Sequence, residues 1–135
     1  MIRLLTELDV NAALKLSQEA GWNQTEADWR RVLALAPDGC FAIDREGSLA
    51  ATATVVCYGR ALAWIGMVLT RDRFRRLGLA RLLVEYALEF SRQRRIPVIG
   101  LDASEMGWPL YTSLGFREEC AIERWGAGAA NSRAV

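Results

Sequence analysis

Trp64-Ile65-Gly66-Met67-Val68-Leu69, followed after a short gap by Arg75-Arg76-Leu77-Gly78-Leu79-Ala80, is the stretch that decides this fold. The first run is apolar and β-favouring, and reads as a strand. The second is a basic turn with a glycine at its centre. A helix opens where that turn ends. Leu79, Leu82, Leu83, Tyr86, Ala87 and Phe90 follow one another at helical spacing, with Arg81, Glu85, Glu89 and Arg92 on the opposite side. A strand, a turn and a helix N-terminus in that order aim backbone N–H groups and the positive end of the helix dipole at one spot. Gly78 lets a ligand come close to the backbone there. Such a spot suits a pyrophosphate, so the chain is expected to bind a phosphorylated cofactor.

Working outward, residues 97–101 form a buried-type strand, and the helix in between makes it parallel to the strand before the turn. Upstream, residues 40–43, 49–58 and 61–69 read as three strands. The turns Asp44-Arg45-Glu46-Gly47-Ser48 and Tyr58-Gly59-Arg60 join them into an antiparallel meander. Residues 2–5 make a short first strand. Thr6 caps a helix that carries Val10, Ala13, Leu14 and Ser17 and stops at Gly21. Thr25 caps a second, with Asp28 in its first turn, the face Trp29, Val32, Leu33 and Ala36, and Pro37-Asp38-Gly39 at its end. A short helix over 108–114 leads through Gly115 into a last strand over 116–125. The expected fold is α+β, a central mixed sheet with an antiparallel meander followed by a βαβ crossover and flanking helices. Residues 1–125 form one domain, and 126–135 have the composition of a flexible tail or the start of a linker.

The 135 residues suffice for one domain with a full core. Seventeen basic residues against sixteen acidic ones leave a net charge of +1, without the footprint of a nucleic-acid or membrane-surface binder. Arginines nonetheless crowd the interval from Arg71 to Arg95, which fits a local anion site in a neutral protein. Histidine is absent. That excludes Ser-His-Asp and Cys-His catalysis and most zinc sites, so no metal is expected. Cys40, Cys57 and Cys120 show no paired spacing and sit among apolar neighbours, as buried thiols in a reducing compartment do. With neither a transmembrane-length segment nor a signal-peptide profile, a cytoplasmic protein is expected, as monomer or homodimer.

Three pieces, in order, resemble the GNAT superfamily of N-acetyltransferases. Met67-Val68-Leu69 followed by Arg75 to Ala80 matches its R/Q-x-x-G-x-G/A acetyl-CoA motif after a hydrophobic strand. Val98-Ile99-Gly100-Leu101-Asp102-Ala103 stands where the family's parallel strand stands. Leu110-Tyr111-Thr112-Ser113-Leu114-Gly115-Phe116 matches its closing Y-x-x-x-G-F signature. The resemblance covers about residues 1–125.

The resemblance implies acetyl-CoA as donor and a primary amine of a small molecule or peptide as acceptor, joined by direct transfer. The donor would be held by Met67, Val68, Leu69, Arg75, Arg76, Leu77, Gly78, Leu79, Ala80 and Arg81. The N–H groups from Arg76 to Arg81 would take the pyrophosphate, and Arg75 and Arg76 would add charge. The Val68 N–H would polarise the thioester carbonyl, and Gly66, just before Met67 and Val68, fits a bulge or a close approach. Tyr111 would be the general acid for the leaving thiolate. No carboxylate lies in Trp64-Ile65-Gly66-Met67, where many members carry a glutamate, so the candidates for the base are Asp102 or Glu105, the nearest in sequence, or equally an ordered water chain. Ser104-Glu105-Met106-Gly107 fills the place of a common family asparagine. Trp22 and Asn23, between the first two helices, would border the acceptor; Trp64 and Trp108 are further pocket candidates, and Trp29 reads as core. The alternative to an enzyme is a non-catalytic acyl-CoA-binding sensor of the same fold.

Overall fold

A computed structural model of the chain describes residues 1–102, 107–117 and 132–133. The elements are β1 (Ile2–Leu4), a 3-10 turn (Glu7–Asp9), α1 (Val10–Glu19), α2 (Glu26–Leu35), β2 (Cys40–Arg45), β3 (Ser48–Tyr58), β4 (Leu62–Thr70), α3 (Leu79–Gln93), β5 (Val98–Asp102), α4 (Trp108–Ser113) and β6 (Ser132–Arg133). They build one mixed sheet in the order β1-β2-β3-β4-β5-β6. Neighbouring strands run antiparallel except β4 and β5, which are parallel and joined through α3. This is the expected meander and crossover.

Local chemistry accounts for the boundaries. Thr6 and Thr25 each close a capping box, with Asp9 and Asp28 as the acidic partners. At the second, the Asp28 N–H donates to Thr25 Oγ1 at 3.1 Å and the Thr25 N–H to Asp28 Oδ2 at 2.9 Å; a cap of this kind contributes about 1 kcal/mol. The first box starts a 3-10 turn before the α-helix proper. Gly21 ends that first helical segment at φ +76°. Glu46 and Gly47, both at positive φ, form the β2–β3 turn. Arg3 bridges three elements, reaching Asp9 at 2.9 Å and Asp44 at 2.7 Å. The hydrogen bond from Arg3 is the main reason the Asp9 carboxyl sits below the usual carboxylate range, against the opposing effect of burial.

Two cores flank the sheet. On one face Phe41, Ile43, Ala53, Val55 and Ile65 meet Leu79, Leu83, Val84 and Ala87 of α3. On the other, Cys40, Ala42 and Leu69 meet Val10, Ala13 and Leu16 of α1 and Trp29, Val32 and Leu33 of α2. Trp29 is fully buried, as expected, and its indole N–H donates to Ser17 Oγ at 3.3 Å. Cys40 is buried with its thiol pushed up to about 12 by desolvation, while Cys57 is half-buried and also raised, mainly by burial. Cys120 lies outside the described residues. No helix among them is long and apolar enough to cross a membrane.

One expectation needs correction. The face of α3 is rotated: Leu82 and Tyr86 are 48% and 47% exposed, whereas Val84, Leu88 and Ser91 are buried. Ser91 tolerates burial because its hydroxyl donates to the Ala87 carbonyl at 2.9 Å. Tyr86 instead leans its ring edge on Phe41, centroids 4.9 Å apart. The last strand expected over 116–125 lies outside the described residues beyond Arg117. The described partner of β5 is β6, which pairs Arg133 with Leu101 and Ser132 with Asp102, within the stretch whose composition reads as a tail.

Candidate active site

β4 is the spine of the site, and its two halves are held differently. Leu62 to Ile65 pair with β3 on one side and, in parallel, with Val98 to Leu101 of β5 on the other. Among the described residues, β4 from Gly66 onward has no register partner on β5, whose described part ends at Asp102. On the β3 side Thr54 opposes Gly66 and Thr52 opposes Leu69, so Ala53 faces two residues, Met67 and Val68. This is a β-bulge. Met67 takes the left-handed conformation at φ 49° that makes it. The bulge therefore falls one residue beyond Gly66, where a Cβ would meet only Thr54 Oγ1, at an ordinary 3.5 Å.

Two buried hydroxyls hold the bulge. Thr52 Oγ1 donates to the Met67 carbonyl at 2.7 Å and Thr54 Oγ1 to the Gly66 carbonyl at 3.0 Å. The sequence reading passed over both threonines. Their signal was present in Thr52-Ala53-Thr54, two hydroxyls on the same face of a strand otherwise made of small apolar residues.

Beyond β4 the chain makes a second 3-10 turn at Asp72–Phe74 and enters the basic turn. Arg76 and Gly78 are both left-handed, at φ 68° and 77°. Gly78 is the N-cap of α3 and offers no side-chain cap, so the first-turn N–H groups of a fifteen-residue helix face outward without one. A left-handed residue followed by a right-handed one turns successive N–H groups to one side, the concave arrangement that binds anions. A Cβ at Gly78 would meet no protein atom within 4 Å. The glycine is demanded by its φ, and the space before it is open.

The arginines of the turn are not equivalent. Arg75 pairs with Asp72 at 3.0 Å, Arg73 pairs with Glu46, and Arg81 donates to Ser113 Oγ at 2.7 Å. Arg76 makes no ion pair among the described residues. It is the guanidinium of this turn left available for an anion.

These parts border one cleft of about 660 Å³. Val68, Leu69 and Thr70 form its floor. Phe74, Arg75, Arg76, Gly78, Leu79, Ala80 and Arg81 line the turn side. Asp102, Gly107, Leu110 and Tyr111 line one wall, and Ala20 and Trp22 the other. Of the residues singled out from sequence, Met67, Leu77 and Asn23 do not line it. Met67 packs partly toward the α1/α2 core, Leu77 is 58% exposed, and Asn23 is exposed. Trp64 lies on Gly100, where a Cβ would come within 2.4 Å of its ring, and Trp108 packs partly against the α3-side core. Trp22 is thus the indole that reaches the cleft. Glu105 lies outside the described residues.

Tyr111 is 6% exposed, with its ring edge-to-face on Phe116 at 6.1 Å between centroids. Its hydroxyl forms no hydrogen bond among the described residues. Desolvation lifts the phenol to about 12 from its ordinary 10. Among the described residues no cluster of three or more His, Cys, Asp or Glu could hold a metal. A smaller pocket of about 140 Å³, between Leu88, Pro97, Ile99 and Phe116, is lined by apolar residues throughout.

Among the described residues the arrangement brings a basic turn suited to an anion, the bulged upper half of β4 and a buried neutral phenol around one cavity. The acetyltransferase (GNAT) family profile matches residues 5–116. No curated protein sequence matches the chain. Among solved structures, Ard1 from Thermoplasma volcanium superposes with a TM-score of 0.86 at 19% identity, over 99% of this chain and 93% of its own. A Pyrococcus horikoshii protein assigned as an acetyltransferase gives 0.81 at 23% identity over 88% of this chain, which spans 43% of its length. The ribosomal-protein-S18-alanine N-acetyltransferase of Escherichia coli gives 0.76 at 24% identity, over 88% of this chain and 78% of its own. At these identities the structures share the fold.

Proposed function

The chain belongs to the GNAT family of acetyltransferases, whose acyl donor is acetyl-CoA, and from that premise we propose that it acetylates a primary amine of a small molecule or peptide by direct transfer. The observation that carries this reading is the convergence of the bulged edge of β4, the basic turn and Tyr111 on one cleft. Bound acetyl-CoA supplies an activated acyl group as a thioester.

The residues divide the work. The N–H groups of Gly78 to Arg81 and the Arg76 guanidinium hold the pyrophosphate, with Arg75 reduced in effect by its pairing to Asp72. The opened edge from Gly66 to Leu69 lets the backbone pair with an amide-bearing ligand arm, as a sheet edge does. The Val68 N–H at the bulge donates to the carbonyl oxygen as negative charge grows there. Tyr111 stays protonated because its folded value is near 12. A thiol of ordinary acidity titrates near 8.5, so full proton transfer from this phenol costs roughly 4–5 kcal/mol. Its contribution is therefore a strong hydrogen bond to the leaving sulfur. Asp102, the carboxylate that lines the cleft among the described residues, takes the proton of the incoming amine. Trp22 and Ala20 border the acceptor side, and an indole there suits an apolar or cationic acceptor.

The test is release of free thiol from acetyl-CoA across a panel of amines, with CoA affinity measured separately. Tyr111→Phe should keep CoA affinity and lose roughly 10- to 100-fold in turnover, the span of one hydrogen bond to a charged group. Tight CoA binding with no turnover on any amine would favour a sensor over an enzyme.

A further inference from the structure

The two walls of the cleft are each fastened to the cofactor turn by one polar contact, and neither contact belongs to the core. Glu19, the last residue of α1, accepts the Asp72 N–H on Oε1 at 2.9 Å, across fifty-three residues of sequence. Ala20 and Trp22 follow directly and line the cleft; the Trp22 N–H donates to the Ser17 carbonyl at 2.9 Å, which carries the position of α1 into this lip. At the other end of the turn, Arg81 Nη2 donates to Ser113 Oγ at 2.7 Å, and Ser113 Oγ donates to the Leu110 carbonyl at 2.6 Å. Leu110 and Tyr111 stand on the wall that this contact anchors.

We propose that Glu19 and Arg81 are positioning residues that tie the acceptor lip and the Tyr111 helix to the donor turn, so that a donor seated on the turn also orders both walls. The inference rests on the acetyl-CoA reading of the turn and extends it to the side chains of Glu19 and Arg81. Each tie meets a different wall, so each controls a different parameter. Glu19 acts on Trp22 and therefore on acceptor affinity. Ser113, held by Arg81, acts on Tyr111 and therefore on turnover.

Amide hydrogen exchange of the full chain with and without CoA tests this without requiring catalysis. In the wild type CoA should slow exchange at 76–82 and also at 19–24 and 108–114. Glu19→Ala should remove the protection at 19–24 and leave that at 108–114; Ser113→Ala should do the reverse. Glu19→Gln and Ser113→Thr, which keep the oxygen, should restore both. In steady state Glu19→Ala should raise the acceptor KM, and Ser113→Ala should lower kcat, each about two- to tenfold, the span of one net hydrogen bond, with CoA affinity unchanged. Protection confined to 76–82 in the wild type, or spreading equally in the alanine variants, overturns the proposal while leaving the donor site intact. Absence of any CoA-dependent protection overturns the donor reading itself, and this inference with it.

Discussion

The lower and upper halves of β4 are one strand with two ways of satisfying a backbone. Leu62 to Ile65 are zipped on both sides, to β3 and to β5. Gly66 to Leu69 have no partner on the described part of β5, carry a bulge against β3, and have the Gly66 and Met67 carbonyls bound by two threonine hydroxyls. The zipped half is scaffold, since its groups are spent on one another. The bulged half is the part proposed to offer backbone groups to a ligand, and Thr52 and Thr54 bind its carbonyls from the β3 side. The difference teaches that the proposed site falls where the described pairing of the strand with β5 stops.

That contrast can be broken most severely at the turn beyond the opened half. Gly78→Glu should abolish CoA binding, measured by calorimetry, because it puts a side chain at φ 77° and a negative charge into the open space before the helix N-terminus. Next comes the pair Thr52→Val and Val55→Ala. The first orphans the Met67 carbonyl and should cost about 1–3 kcal/mol together with a loss in kcat/KM. The second removes two buried methyl groups facing α3 and should cost a comparable 1–3 kcal/mol with kcat/KM unchanged. Denaturant melts and initial rates on both variants check the split; equal kinetic losses would erase the distinction between the halves. Smaller again, Arg76→Ala should raise the CoA KM several-fold and Arg75→Ala less, because Asp72 already pairs with Arg75.

The smallest effect is a flat line. Burial raises the Tyr111 pKa, so the phenol keeps its proton, and the stability linked to it is complete below pH 10 and is lost as pH rises toward 12. The pH–rate profile should thus rise on its acid side, as the amine loses its proton, and show no falling limb from Tyr111 below about pH 10. A falling limb near pH 8 that Tyr111→Phe abolishes would mean a phenol far more acidic than its burial allows.

Sequence alone exposed the parts of this molecule that depend on residue type at a spacing. Capping threonines with aspartates three residues on, turn glycines, and the Arg75 to Ala80 run all announce themselves because only a few residue types can fill those positions. The α3 face was misjudged because the helix is apolar around more than half its circumference. Leu82 and Tyr86 fit a helical stripe as well as Val84 and Leu88 do, and only the neighbouring sheet decides which side is covered. The bulge was misplaced by one residue because glycine draws attention as the residue free to bend. Here Met67 bends instead, under compulsion from the two threonines. Asp102 and Tyr111 were legible as residues, but their sharing a cleft with Trp22 depends on long-range packing that no local pattern encodes.

The bulge at Met67 and Val68 carries a consequence for anyone who scans this protein by mutation. The donor proposed there is a main-chain group, which nineteen of the twenty amino acids supply equally, with proline the exception. A substitution library will therefore report position 68 as tolerant, with variation tracking only the volume of the side chain. Ordinary replacement loses such a group only through proline, and cannot improve it. An amide-to-ester exchange at residue 68 deletes that hydrogen alone, and it reaches a part of the catalyst that the genetic code cannot edit.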